Sequence, residues 1–277
     1  MKIIFFTKDR PMQYRAFLES FLYNAKDIKQ LDIVTIISNT NGYEDILEEF
    51  KNIKFINDEG KFFNDILRNE INNTFSDYIL FGCDDEIVIR SINLQNAKNH
   101  LDSNPDCIGY SLRLGNNIEY SRVALNIRDS KNQTLKWNWR HSSSHWGYPW
   151  ELMATIYPTW ICQEIINSQK DNIKTPNFYE SFGVNFCSNN PNMPSFMMCD
   201  DSTGAFIAAD VNRIQLEFEN KVQNFSGRDL SAANLLKMYK EGYRLNWINY
   251  QNKIYNDIFI GDKDLEFIQN SQSLFRA

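Results

Sequence analysis

Short apolar runs alternate with helix-period stretches through the first third of the chain. Lys2-Ile3-Ile4-Phe5-Phe6-Thr7 has the continuous apolar character of a strand buried on both faces. A polar turn, Lys8-Asp9-Arg10-Pro11, sets Pro11 at the first position of the following helix, where a missing N–H costs nothing. Tyr14, Phe17, Leu18, Phe21 and Leu22 then recur at helical spacing, predicting a helix from Met12 to about Asn24. The alternation continues with a strand over Asp32 to Ser38, a helix near Tyr43 to Phe50 and a short strand over Ile53 to Ile56. Phe62, Phe63, Ile66, Leu67 and Ile71 mark a third helix, which leads into the apolar run Tyr78-Ile79-Leu80-Phe81. Strands separated by helices of this length predict a mostly parallel, right-handed α/β sheet.

The pattern loosens after a predicted helix at about Ser91 to Asp102 and a strand over Cys107 to Leu112, which Arg113-Leu114-Gly115 follows. From Asn116 to Pro158 the chain is rich in Asn, Ser, Trp and His, with clusters such as Trp137-Asn138-Trp139-Arg140-His141 and His145-Trp146-Gly147-Tyr148-Pro149-Trp150-Glu151. Such mixtures suit a carbohydrate-facing surface, because sugar C–H faces stack on rings while hydroxyls need donors and acceptors. For most of these rings, however, the expectation is a loop packed on the core through its Trp side chains. Further on, a helix is expected over Pro158 to Gln169, a polar loop over Asn185 to Pro194, and two apolar stretches bracketing Asp200-Asp201. Leu230 to about Tyr243 reads as an amphipathic helix capped by Ser226 or Asp229, and Arg244 to Asn249 as a short strand or ordered turn. With no internal repeat or low-complexity linker, two halves are expected to share one core, residues 1–115 and 116–277.

Composition narrows the partners. The 277 residues carry a formal net charge of −6, so the molecule as a whole has no electrostatic attraction for nucleic acid. Five scattered cysteines without a CxxC pair argue against a disulfide framework and a zinc knuckle, and read as reduced thiols of a cytoplasmic protein. Met1 to Phe6 is too short for a signal peptide, and no apolar window reaches the roughly 18 residues of a spanning helix. Work at the inner face of a membrane stays compatible with that reading. Oligomeric state is not legible.

The candidate chemistry concentrates at Gly82-Cys83-Asp84-Asp85-Glu86, where a strand ends in three consecutive carboxylates. Acids this close repel one another, and a hard divalent cation carrying phosphates is the usual compensator. The competing reading is a solvated acidic turn or the start of a helix. Ligands of open α/β sheets bind at the carboxyl edge of the strands, which favours the metal-site reading.

A first strand ending in Thr7-Lys8-Asp9-Arg10-Pro11, followed by βα units and a strand ending in Asp84-Asp85-Glu86, resembles the GT-A fold glycosyltransferases, especially the family-2-like group of bacterial surface-polysaccharide enzymes. The second half, with Trp146-Gly147-Tyr148-Pro149, Val211-Asn212-Arg213-Ile214-Gln215 and Glu241-Gly242-Tyr243-Arg244, is similar to transferases of the same kind. The resemblance implies a Rossmann-like, mostly parallel sheet flanked by helices, with a nucleotide-sugar half in residues 1–115 and an elaborated acceptor half in residues 116–277. It implies that Asp84, Asp85 and Glu86 hold Mn²⁺ or Mg²⁺ on the donor diphosphate, with Glu86 standing where an Asp is usual. Thr7, Arg10, Asp58, Asp84, Asp85 and Arg113 are the expected nucleotide contacts, although Asp58 could equally cap the helix that begins near Lys61.

Transfer to a glycan or lipid-linked acceptor needs a general base. Glu151 is the first candidate for an inverting mechanism, Asp200 and Asp201 the second, His145 the third, and each could instead be structural. Absence of QxxRW favours transfer of a single sugar. A nucleotidyltransferase would normally carry a Gly-rich loop after the first strand, which Thr7 to Pro11 lacks. A dinucleotide-binding dehydrogenase would show GxGxxG there. A non-catalytic carbohydrate-binding protein on a degenerate transferase fold is the alternative from another class.

Overall fold

Every residue of strand β1 (Lys2–Thr7) is buried, which requires cover on both faces, and the chain supplies it with helices on either side. In the computed structural model, residues 1–25, 31–118, 133–169, 173–200, 202–215 and 226–269 are described. After β1 come α1 (Pro11–Asn24), β2 (Asp32–Ile37), α2 (Glu44–Glu49), β3 (Lys54–Asn57), α3 (Phe63–Asn72) and β4 (Tyr78–Cys83). The chain continues through β5 (Glu86–Val88), α4 (Leu94–Asp102), β6 (Cys107–Ser111), β7 (Thr134–Asn138), β8 (Thr155–Pro158), α5 (Thr159–Ser168) and α6 (Pro176–Asn189). It closes with β9 (Phe196–Asp200), β10 (Phe206–Ala209), α7 (Ala232–Lys240), β11 (Tyr243–Leu245), β12 (Phe259–Ile260) and β13 (Phe267–Gln269).

Eight strands form one sheet in the order β3-β2-β1-β4-β8-β6-β9-β7. β1 runs parallel to β2 and β4, β2 parallel to β3, and β6 parallel to β9, while β8 and β7 run against their neighbours. The expected mostly parallel α/β sheet is therefore present. Residues 1–115 supply β1 to β4 and β6, and later residues supply β7 to β9. Phe17, Leu101 and Leu235 of α1, α4 and α7 belong to the core on one face. Leu67, Ile165 and Tyr179 of α3, α5 and α6 belong to the core on the other.

Register decides where the site can be. Thr7 lies opposite Ile37, Ile37 opposite Asn57, and Phe6 opposite Cys83. Lys8, Ser38, Asp58 and Asp84 consequently leave the sheet together at its carboxyl edge. β10 adds a wall there: it pairs antiparallel with β5, Ala208 opposite Glu86, and Ala209 N donates to Asp85 O at 2.7 Å. Residues 210–215 emerge beside the Asp84-Asp85 turn.

Three expectations need correction. Asn185 to Asn189 is not loop but the last turn and more of α6, a helix whose Asn, Gly and aromatic content hides it from propensity rules. Its stability comes from packing, with Tyr179, Gly183 and Cys187 buried at i, i+4 and i+8. Ser231, and neither Ser226 nor Asp229, caps α7 by accepting from Asn234 N. Glu86 is not the third member of an acidic turn but the first residue of β5. The tryptophans follow the core expectation: Trp137, Trp139, Trp146 and Trp150 are all buried. All five cysteines are free, and no described helix is long and apolar enough to cross a membrane.

Candidate active site at the carboxyl edge of the sheet

A cavity of about 1020 Å³ opens over the edge where β1 to β4 end. That volume is at the upper end of the ~300–1,000 Å³ usual for ligand sites, room enough for more than one small substrate. Phe6, Ile36 and Phe63 give it an apolar floor at one end, rimmed by Thr7, Ser38 and Asp58. Asp58 is fixed there, accepting from Ser38 Oγ at 2.8 Å and from Gly60 N at 2.7 Å. The Asp58 carbonyl also accepts from Lys61 N and Phe62 N, but the cap position of α3 is Phe62 and no side chain caps it, so Asp58 is not the cap of that helix.

At the centre lies an ionic knot. Asp84 is buried; its Oδ2 accepts from Thr7 Oγ1 and Lys8 N at 3.0 Å, and its Oδ1 from Arg10 Nη1 at 2.9 Å. Arg10 Nη1 also reaches Asp85 Oδ2 at 3.0 Å, while its Nε and Nη2 donate to Asn212 Oδ1 and O at 2.8 and 2.6 Å. Burial raises the Asp84 carboxyl above its ordinary range, and Arg10 opposes the rise. Both carboxylate oxygens of Asp84 are thus engaged inside the protein, while the residue also lines the cavity.

Asp85 differs. Its Oδ1 is buried with no partner among the described residues, and it lines the cavity. Asp210 stands nearby, its carboxyl pushed up to about 6 by burial and by the charge of Asp85, with Arg10 opposing. Two hard oxygen donors that repel each other fit a divalent cation completed by water and phosphate oxygens. The expected three-acid ligand set is not assembled: Glu86 does not line the cavity, and no group of three or more metal-binding side chains occurs among the described residues. The reason is strand geometry. As the first residue of β5, Glu86 turns its carboxylate back to accept from Cys83 N at 2.9 Å, over Gly82, where an added Cβ would lie 3.0 Å from Glu86 Oε2. Burial holds the Glu86 carboxyl well above its ordinary range.

The far wall comes from the second half. Arg113 reaches the cavity after β6, and its Nη2 donates to Glu151. Glu151 itself does not line the cavity; it is buried behind Arg113, and its Oε1 accepts from Thr155 Oγ1 at 2.5 Å. With both oxygens spent, Glu151 is not positioned as a base. Asp200 is exposed, accepting from Ser202 N at 2.8 Å, and does not line the cavity, while Asp201 lies outside the described residues. His145 does line it, packed edge-on to Phe259 with ring centroids 5.7 Å apart. Burial and the nearby Arg113 push the His145 imidazole down to about 4, so it is neutral near pH 7.

On α6, a further carboxylate, Glu180, lines the cavity. Burial pushes it up to about 7, against the pull of Arg113 and a hydrogen bond with Tyr148. Sequence reasoning passed over Glu180 because the helix carrying it was not legible. Asp210 was passed over because only the β5–β10 pairing brings it to the acidic turn. The Pro176 start of α6 was the one available signal for the first.

No family model matches the chain. It is 28% identical over 291 aligned positions to the bifunctional glycosyltransferase pgtA of Dictyostelium discoideum, covering 91% of this chain and 36% of that protein. The chain therefore spans about a third of the length of this curated relative. Among solved structures, S. aureus TarS residues 1–349 in complex with UDP-GlcNAc superposes with a TM-score of 0.50 at 15% identity, over 80% of this chain and 61% of that one. A longer S. aureus TarS structure gives 0.50 at 13% identity, over 75% of this chain and 36% of that one. At these identities the likeness is one of fold. That fold is the GT-A arrangement to which the strand endings at Thr7-Lys8-Asp9-Arg10-Pro11 and Asp84-Asp85 pointed.

Proposed function

We propose that the chain is a glycosyltransferase that moves one sugar from a nucleotide-diphosphate donor to a glycan or lipid-linked acceptor. The observation that carries this reading is the set of groups that line one cavity. An apolar slot with Thr7, Ser38 and Asp58 suits a nucleoside, the Asp85 and Asp210 pair beside Arg10 suits a diphosphate with its cation, and Glu180 lines the same cavity within reach of the Asp85 charge. The similarity to pgtA and the TarS fold, one TarS structure holding UDP-GlcNAc, support it.

In this reading Asp85 and Asp210 hold Mn²⁺ or Mg²⁺, which supplies charge neutralisation for the leaving diphosphate. Arg10 keeps the acids ordered and Thr7 fixes Asp84 beneath them. Glu180 accepts the acceptor hydroxyl proton as that oxygen bonds to the anomeric carbon. The bond from that carbon to the diphosphate oxygen breaks, and its electron pair leaves on the nucleoside diphosphate. A carboxyl titrating near 7 is suited to such a proton transfer at neutral pH. With Glu180 as the base for a single displacement, the transfer proceeds with inversion.

The reading extends to surface-polysaccharide synthesis (capsule, O-antigen or lipooligosaccharide) in the cytoplasm, at the inner face of a membrane where a lipid-linked acceptor would be met. Five free thiols support a reducing compartment.

The test is calorimetric titration of UDP, GDP, CDP and ADP with and without Mn²⁺, followed by nucleoside diphosphate release from the matching sugar nucleotides. Mn²⁺-dependent binding of one nucleotide with turnover of its sugar conjugate is expected. Binding without turnover would return the non-catalytic alternative, and no nucleotide binding at all would sink the reading.

A further inference from the structure

The aromatic segment Trp146-Gly147-Tyr148-Pro149-Trp150 sends its rings two ways. Trp146 and Trp150 are fully buried, whereas the half-buried Tyr148 between them lines the cavity. Both anchors are held by packing and hydrogen bonds. Trp137 Nε1 donates to Trp146 O at 2.6 Å, and the two indoles meet edge-on with centroids 4.9 Å apart. Gly147 lies so close to the preceding turn that a Cβ there would stand 2.5 Å from Ser142 O. Trp150 packs on Tyr157 with ring centroids 4.3 Å apart, and on α6 at Gly183. Pinned two residues to either side, Tyr148 has little freedom in where its hydroxyl points.

That hydroxyl meets α6 as well. It hydrogen-bonds to Glu180, which sits three residues before Gly183, so one segment fixes both the helix and the carboxylate the helix carries. No other side-chain hydrogen bond to Glu180 occurs among the described residues. Two further groups act on it through charge: Arg113, whose Nη2 is committed to Glu151, attracts the carboxylate, and Asp85 repels it. Nearby Cys83 and Tyr157 keep their protons, burial holding both well above their ordinary ranges, and His145 is neutral near pH 7. A glutamate side chain turns about three bonds, and a donor mounted on a packed segment is what holds such a group in one orientation.

We infer that Tyr148 is a positioning residue for the base: its hydroxyl donates to one carboxylate oxygen of Glu180 and leaves the other open to the acceptor hydroxyl. The inference rests on the transferase reading of the cavity and adds to it the group that aims the base. It also gives this aromatic segment a task other than stacking on sugar rings. Because Tyr148 donates, it favours the ionised carboxylate, the form that can take a proton.

The test is steady-state turnover of the full chain over about pH 5 to 9, with the sugar nucleotide that calorimetry identifies. Mn²⁺ is kept saturating, so that the charge at Asp85 and Asp210 is the same in every profile. Tyr148→Phe keeps the ring and removes the donor. It should move the acid limb up by about one pH unit and lower kcat about tenfold at pH 7, with nucleotide affinity within about twofold of wild type. Trp146→Phe loosens the segment but removes no group bonded to Glu180; it should lower the thermal midpoint and turnover and leave the limb in place. Where Tyr148→Phe turns over too slowly to profile, the ¹³C shift of the Glu180 carboxyl, assigned by its absence in Glu180→Gln, reads the same displacement. A folded Tyr148→Phe whose limb and carboxyl titration stay in place would reduce Tyr148 to packing and overturn the inference, as would a loss of nucleotide affinity equal to the loss of turnover. Wild-type turnover with an unmoved limb in Tyr148→Phe removes Tyr148 alone, whereas no turnover of any sugar nucleotide by wild type removes the reading beneath it.

Discussion

Arg113 donates to Glu151 where both side chains are buried, Arg113 at the cavity wall and Glu151 behind it. The pair explains why the most conspicuous acid of the aromatic segment is not the one facing the substrate space. Removing Glu151 leaves a buried guanidinium without its counter-charge, so Glu151→Ala should cost about 3–5 kcal/mol of stability. Chemical denaturation measures the loss. Glu151→Gln, which keeps one acceptor oxygen, should cost less and retain turnover; abolished turnover in a stably folded Glu151→Gln would return that residue to the role of base.

The Asp85 and Asp210 pair predicts a division among the acids. Asp85→Asn should reduce the Mn²⁺ enhancement of nucleotide binding by about tenfold or more, because the side chain loses a hard, charged donor. Glu86→Gln should leave that enhancement within about twofold, since Glu86 turns away to Cys83 N and burial already favours its neutral form. Calorimetry with and without Mn²⁺ decides between this pair and the three-acid set, which requires both substitutions to behave alike.

Glu180 predicts a pH dependence of two kinds. Its carboxyl titrates at about 7 in the folded chain against an ordinary 4.5. Between those values the folded chain keeps a proton that the unfolded chain has released, so this group's contribution to stability falls as pH rises and levels off above about 7. Asp210, at about 6, acts with the same sign over its own lower window. Glu180→Gln should therefore raise the unfolding midpoint at pH 8 relative to wild type and change it little at pH 4. The catalytic effect runs the other way: turnover should climb through pH 7 as Glu180 loses its proton, and Glu180→Gln should abolish that limb. A pH–rate profile unaltered by the substitution would remove Glu180 from catalysis.

Gly183 predicts a packing defect with a functional consequence. A Cβ there would lie 2.2 Å from Trp150 Cδ1, far inside contact distance. The Ala side chain would favour the helix by about 1 kcal/mol, yet overpacking a filled core costs about 1–3 kcal/mol and moves backbone. Gly183→Ala should thus lower the thermal midpoint and, by displacing α6, reduce turnover more than nucleotide affinity. Equal stability of variant and wild type would show that Trp150 yields.

Arg10 ties the first loop to Asn212, Asp84 and Asp85 at once. Arg10→Ala should weaken nucleotide binding, because Asp84 and Asp85 lose their compensating charge, and destabilise the chain by about 3–5 kcal/mol, as removal of one partner of a buried ionic cluster does. A neutral effect on both would mean the acids are compensated elsewhere.

The amino-acid sequence by itself determined the first three βα units with β4 after them, the carboxyl edge over which the cavity opens, and Thr7, Arg10, Asp58, Asp84 and Asp85 as residents of that edge. These were legible because the apolar runs of β1, β2 and β4 and the period of α1 and α3 are local signals, and register then follows from parallel pairing. Only the tertiary structure decided the roles of the acids. Whether Glu86 joins Asp84 and Asp85 turns on one residue of phase where β5 begins, and Glu151 is withdrawn by a partner 38 positions away. Asp210 and Glu180 reach the cavity through long-range pairing of β10 with β5 and through packing of α6 on Trp150, contacts with no imprint in the local period of either segment.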